Sequence, residues 1–183
     1  KNLQSRMNYI GGYMTKQETK IDKQHKVYLN IAKELATLSH CVSHKVGAIA
    51  VLDGRILATG INGTPKGSIN CDAVFDPELV HTSEEERNAH YEWSKKHEIH
   101  AEMNLILFCA KHGIKLDGAT LYSTLQPCGE CTKNLTQSGI KTIVYSEMYD
   151  KNTDDNEILR EILENNDIDI IDKYVESKNE TTS

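Results

Sequence analysis

Four side chains have the types and spacing of a hydrolytic metal site: His100 and Glu102 in His100-Ala101-Glu102, and Cys128 and Cys131 in Pro127-Cys128-Gly129-Glu130-Cys131. Imidazole and thiolate are ligands that zinc takes readily, and three of them leave a fourth tetrahedral position open for water. A carboxylate outside the ligand set can then move protons to and from the reacting groups. The pattern points to hydrolysis, with a catalytic zinc on His100, Cys128 and Cys131 and with Glu102 as proton shuttle. A lone C-x-x-C would fit a structural Cys/His site or unrelated core thiols equally well. The upstream His-x-Glu and the proline before the first cysteine favour the catalytic reading.

These residues need particular elements to bring them together. Cys128 and Cys131 are three apart, so on a helix both sulfurs fall on one face. Pro127 suits the entrance of that helix, and a helix N-terminus favours thiolates. Ile99, Met103, Ile106, Leu107 and Ala110 mark an apolar stripe for a second helix that His100 opens. Inside a helix His100 and Glu102 would diverge by about 200°. They converge only on a metal lying off the helix end, so the zinc is expected between two helix N-termini. The order H-x-E…P-C-x-x-C is the pattern of zinc-dependent nucleobase deaminases.

The chain has 183 residues, 38% hydrophobic and 26% charged, with net charge −6, which suits one soluble domain. The acidity argues against a long nucleic-acid footprint, although a local basic pocket could still take a small phosphorylated substrate. No apolar run approaches the length of a membrane span, and the N-terminus lacks the apolar region of a signal peptide. Five cysteines, two of them in C-x-x-C, fit metal-bound thiols in a reducing, cytoplasmic setting better than a disulfide framework.

Residues 1–20 read as a flexible arm, 21–174 as the deaminase domain and 175–183 as a disordered tail. A helix is expected over Ile21–Leu38, strands over Lys45–Leu52 and Arg55–Ile61 around an Asp53-Gly54 turn, and a loop from Asn62 to Gly67. Ser68 to Lys96 reads as a long irregular, acidic segment of the kind that is functional or mobile. Elements then alternate: helix His100–His112, strand Ala119–Thr124, helix Cys128–Ser138, strand Lys141–Ser146, helix Asn156–Glu164 and strand Ile168–Ile171. A hairpin followed by this alternation implies an α/β fold with a mixed sheet covered by helices.

Cys41, Cys71, His90 and Glu98 are further candidate metal ligands. Their spacing matches no compact zinc pattern, and buried free cysteines are the alternative.

With these motifs in view, the chain resembles deoxycytidylate (dCMP) deaminases, above all those of T-even-like bacteriophages. The resemblance runs from about Ile21 to Tyr149. It is carried by Lys45-Val46-Gly47-Ala48, Gly60-Ile61-Asn62-Gly63-Thr64-Pro65, Asn70-Cys71-Asp72, His90-Tyr91-Glu92-Trp93, Glu98 to Asn104 and the Pro127–Cys131 motif. It implies a three-layer α-β-α cytidine-deaminase-like fold with a central five-stranded mixed sheet. It implies hydrolysis of dCMP to dUMP and ammonia by a zinc-activated hydroxide, supplying dUMP for dTMP synthesis. It also implies a homohexamer activated by dCTP and inhibited by dTTP, with Mg2+ possible beside the effector triphosphate.

The same resemblance gives roles to single residues. A second, structural zinc falls on Cys41, Cys71, His90 and Glu98, within an insertion of about residues 64–97. The Ala101 N–H contacts the base, Asn62 the sugar, Tyr149 the nucleotide and Lys151 its phosphate. Lys45, Asn62 and Gly63 serve the effector. No nucleic-acid or membrane partner is implied. The competing readings are a zinc deaminase acting on a free nucleoside, nucleobase, pteridine precursor or tRNA, and a catalytically silent zinc-stabilised binding module.

Overall fold

A computed structural model describes residues 7–10, 13–16, 19–148 and 153–172. The expected tail and the positions of Tyr149 and Lys151 lie outside the described residues. Within the stretch read as an arm, β1 (Met7–Ile10) and β2 (Tyr13–Lys16) pair antiparallel, with Ile10 opposite Tyr13. Aromatic and β-branched residues around a Gly-Gly pair are the sequence signal for such a hairpin.

Helix α1 (Lys20–Ala36) starts at a capping box in which the Thr19 side chain accepts from the Asp22 backbone N–H and the Asp22 carboxylate accepts from that of Thr19. Strands β3 (Gly47–Leu52) and β4 (Arg55–Ile61) follow. Asp53 and Gly54 between them both have positive φ, 50° and 74°, as a two-residue primed turn requires. The remaining elements are a 3-10 turn at Cys71–Ala73, then α2 (Pro77–Thr82), α3 (Glu84–His97), α4 (Ala101–His112), β5 (Thr120–Leu125), α5 (Gly129–Thr136), β6 (Thr142–Glu147), α6 (Thr153–Glu164) and β7 (Asp169–Ile171).

The main sheet has the order β4-β3-β5-β6-β7. Strand β3 is antiparallel to both β4 and β5, whereas β5, β6 and β7 run parallel. Alternation along the strands builds two cores. Ile49, Val51, Tyr122 and Val144 pack with Leu29 and Ala32 of α1 on one face. Ala48, Ala50, Leu121, Ile143 and Tyr145 pack with Leu105 of α4, Leu135 of α5 and Leu163 of α6 on the other. The fold is α/β, a five-stranded mixed sheet between helices, as the sequence implied.

Two glycines set the helix-to-sheet spacing. A Cβ built at Gly60 would lie 2.1 Å from the Ala101 carbonyl oxygen, and one at Gly47 would lie 2.1 Å from that of Ala32. Strand and helix backbones therefore touch at these points, which only glycine permits. Gly60 holds the first turn of α4 directly against β4.

The largest departure from the sequence reading concerns Ser68–Lys96. It is not irregular: it carries the 3-10 turn, α2 and most of α3. Helix α3 lacks an apolar stripe because its one buried residue is a histidine, His90, and hydrophobic periodicity therefore misses it. Its ends follow capping rules instead. Ser83 accepts from the Glu86 N–H, Glu84, Glu85 and Glu86 fill the first turn, and Lys95, Lys96 and His97 fill the last. Helix α5 is also shorter than expected. The Gln137 and Ser138 N–H groups turn to the Asn134 and Leu135 carbonyls, tightening the exit before Gly139, whose φ is +90°.

Candidate active site

Helices α4 and α5 point their N-termini at the edge of the sheet where β4 and β5 end. His100 is the N-cap of α4, and Glu102 sits in its first turn. Cys128 is the N-cap of α5 and Cys131 stands three residues on. N-cap and N3 side chains meet over the end of a helix, so the cysteines converge beyond the helix rather than along its flank. Pro127 accordingly precedes the N-cap instead of occupying the first helical position. The expected metal position between two helix N-termini matches this arrangement.

Distances test whether these residues fit zinc. His100 Nδ1 lies 3.4 Å from Cys128 Sγ and 3.5 Å from Cys131 Sγ, and all three donor atoms fall within 4.8 Å of one another. Tetrahedral zinc with ordinary Zn–N and Zn–S bonds sets N and S about 3.5 Å apart. The donor set fits the metal without rearrangement. Cys131 is 1% exposed and Glu102 4%, whereas His100 is exposed, so the site opens to solvent on one side only.

The electrostatics suit proton transfer. Burial pushes the Glu102 carboxyl above its ordinary range, and the nearby His100 only partly offsets this. A carboxyl that holds a proton more readily than a free one is suited to alternate between base and acid. The Cys128 thiol is held low because Cys131, and then His100, hydrogen-bond to its sulfur. The Cys128 contact in turn raises His100. Cys131 Sγ also lies 3.6 Å from Glu102 Oε2, which places this carboxyl against the donor set.

A cleft of about 310 Å3 opens at this centre, and its lining includes His100, Ala101, Glu102, Cys128, Leu125 and Asn62. Its volume is at the small-ligand end of binding pockets. Ala101 is the first helical residue of α4, a position whose N–H has no partner within the helix. Asn62 clamps the neighbouring loop: its Oδ1 accepts from the Val46 N–H at 2.8 Å, and its Nδ2 donates to the His44 carbonyl at 2.8 Å. One N–H and one lone pair of that amide remain for a ligand. Gly63 exchanges two backbone hydrogen bonds with Ile99 at 3.1 and 2.8 Å, which ties the loop to the residue before His100. Asn104 Nδ2 donates to the Ile61 carbonyl at 2.6 Å and fixes α4 to the end of β4. Gly63 and Lys45 do not line the cleft, and Lys45 is exposed.

The second expected donor set also assembles. Cys71 Sγ and Cys41 Sγ lie 3.3 and 3.7 Å from His90 Nε2, and these atoms form a second group within 4.8 Å. Glu98, the C-cap of α3, lies outside that compact set, but its Oε1 is buried with no hydrogen-bond donor among the described residues. Burial pushes Cys41 upward, with Glu98 adding to it, and pushes Cys71 to about 12. Burial likewise raises Glu98 and lowers His90. Buried groups kept neutral in this way gain most from a cation that takes the place of their protons.

Sequence reasoning missed Arg87, Tyr91 and Ser94, which line the cleft from α3. The signal available was Ser83-x-x-Glu86, the capping-box pattern that marks a helix start and places these three on one face.

An α-β-α sheet edge with a His/Cys/Cys donor set and a buried carboxyl defines a zinc-dependent hydrolytic deaminase. The chain belongs to the family described as the cytidine and deoxycytidylate deaminase zinc-binding region, whose model matches residues 22–147. It is 45% identical over 150 residues to the deoxycytidylate deaminase of Enterobacteria phage T2, covering 68% of this chain and 80% of that one. The phage T4 enzyme is 44% identical over 150 residues, covering 68% and 78%. Among solved structures, the dCMP deaminase of cyanophage S-TIM5 in complex with dCMP and dUMP superposes with a TM-score of 0.62 at 28% identity, over 85% of this chain and 99% of that one. Among the described residues no helix is long and apolar enough to cross a membrane.

Proposed function

We propose that this chain hydrolyses dCMP to dUMP and ammonia, with a catalytic zinc held by His100, Cys128 and Cys131 and with Glu102 as proton shuttle. The observation that carries the reading is the buried Glu102 carboxyl set against the donor triad. The phage relatives named for this activity support the choice of substrate.

When bound, zinc supplies a Lewis acid that brings water within reach of deprotonation near neutral pH. Glu102 accepts a proton from that water and delivers it to N3 of the cytosine ring as the water oxygen bonds to C4; it then takes the second proton from that oxygen and passes it to the amine, which leaves as ammonia when the C4–N bond breaks. Its raised affinity for a proton suits both directions of transfer. The Ala101 N–H holds the base carbonyl and the remaining capacity of Asn62 holds the sugar. Tyr149 and Lys151 are proposed to contact the nucleotide from outside the described residues.

The reading extends to a second zinc on Cys41, Cys71, His90 and Glu98, which would pin the loop after α1, the 3-10 turn and α3 to one another. It extends to a homohexamer activated by dCTP and inhibited by dTTP, with Lys45 and the loop at Asn62 and Gly63 serving the effector, and to a role in supplying dUMP for dTMP synthesis in the cytoplasm.

The test is Glu102→Gln, assayed for ammonia release from dCMP and for bound zinc. Turnover should fall by ~10²–10⁴, the usual worth of a positioned acid–base group, while the zinc content persists. Turnover near the wild-type level removes Glu102 from the mechanism. If the wild-type protein deaminates deoxycytidine, CMP or tRNA in preference to dCMP, the choice of substrate is wrong.

A further inference from the structure

The zinc donor set lines one part of the cleft, and the mechanism leaves another part of its lining unused. That part is a wall of α3 in which Arg87, Tyr91 and Ser94 follow at i, i+4 and i+7, a spacing that puts them on one helix face. Arg87 is the one fixed cation among the described residues lining the cleft. One of its guanidinium nitrogens donates to the His81 carbonyl at 3.1 Å, which anchors the head group at the end of α2. No carboxylate pairs with it among the described residues. A guanidinium has five N–H donors, so most of its fork remains open.

We infer that Arg87, assisted by Tyr91 and Ser94, binds the 5′-phosphate of the nucleotide and sets the preference for a nucleotide over a nucleoside. The inference rests on the reading of this cleft as a dCMP site.

Three observations carry it. The two acidic residues of the cleft, Glu98 and Glu102, both lie near His100. Arg87 is the fixed side-chain countercharge that the cleft offers a phosphate dianion. Arg87 lines the same cleft as Ala101 and Glu102, which face the reacting ring in this reading. That group is an arginine, whose planar fork matches two phosphate oxygens at once.

The test compares the wild-type protein with Arg87→Ala and Arg87→Lys. Steady-state kinetics on dCMP and deoxycytidine are measured alongside calorimetric binding of dUMP and deoxyuridine, which needs no turnover. Arg87→Ala should raise KM for dCMP by roughly tenfold to a hundredfold, the worth of charge-assisted hydrogen bonds at a partly open site. KM should change far more than kcat, and the discrimination between dCMP and deoxycytidine should shrink by the same factor. Binding of dUMP should weaken in parallel while that of deoxyuridine does not, and Arg87→Lys should fall between. Equal losses on nucleotide and nucleoside would mean a structural role and overturn the inference, as would unchanged KM and dUMP binding. A zinc-loaded wild-type protein that neither turns over dCMP nor binds dUMP would instead sink the underlying functional reading.

Discussion

Replacing Gly60 by alanine tests whether the contact between β4 and α4 positions the chemistry. The new Cβ would lie 2.1 Å from the Ala101 carbonyl oxygen, 2.8 Å from the Leu105 nitrogen and 3.0 Å from the Leu105 Cβ. Real Cβ atoms essentially never approach closer than 3.0 Å, so the first turn of α4 must retreat by about an ångström, since backbone cannot rotate aside as a side chain can. Overpacking of this kind costs about 1–3 kcal/mol. That turn carries His100 as its N-cap and Glu102 within it, so both move relative to Cys128 and Cys131, which ride on α5. A misplacement of about 1 Å at a reacting centre costs on the order of 100-fold in rate. Gly47→Ala is the control. Its Cβ would meet the Ala32 oxygen at the same 2.1 Å and the Ala36 nitrogen at 2.9 Å, but it displaces α1, which carries no site residue. Urea unfolding should report similar losses for the two variants. In conditions where both are fully folded, kcat on dCMP should fall on the order of 100-fold for Gly60→Ala and only a few-fold for Gly47→Ala. Equal kcat values for the two folded variants would refute the argument that this contact sets the geometry of the site.

The second donor set predicts a change in metal content: Cys71→Ala should lower bound zinc from about two to about one per chain, with dCMP turnover retained and proteolysis within residues 68–97 accelerated. Elemental analysis and limited digestion check this, and equal zinc in the two proteins would leave the cluster without a metal. The Tyr145 hydroxyl is buried with no hydrogen-bond partner among the described residues. Tyr145→Phe should therefore be neutral or stabilising by up to about 1–2 kcal/mol, with Tm rising by about 2–4 °C per kcal/mol gained. A drop in Tm would show that the hydroxyl has a partner.

Strong local rules were readable wherever they act along the chain. The Asp53-Gly54 turn, the strand Arg55–Ile61, the helix end at Gly113 with φ +67° and the alternation after His100 follow from turn chemistry, capping and periodicity. Helix α3 was not readable by periodicity because what it buries is His90, beside Cys41, Cys71 and Phe75. A helix held by polar donors and aromatic edges carries no apolar stripe to announce it.

The sequence by itself determined the donor types and the pairing of His-x-Glu with Pro-Cys-x-x-Cys, because ligand chemistry is fixed by side-chain identity and local spacing. It also determined that the metal must lie off a helix end, because His100 and Glu102 diverge inside one. Only the tertiary structure decided that Cys128 and His100 both serve as N-caps, that Gly60 sets the depth of α4 on the sheet, and that Arg87 shares a cleft with Glu102. Those relations depend on packing distances between elements far apart in the chain, which the spacing of residues along it does not encode.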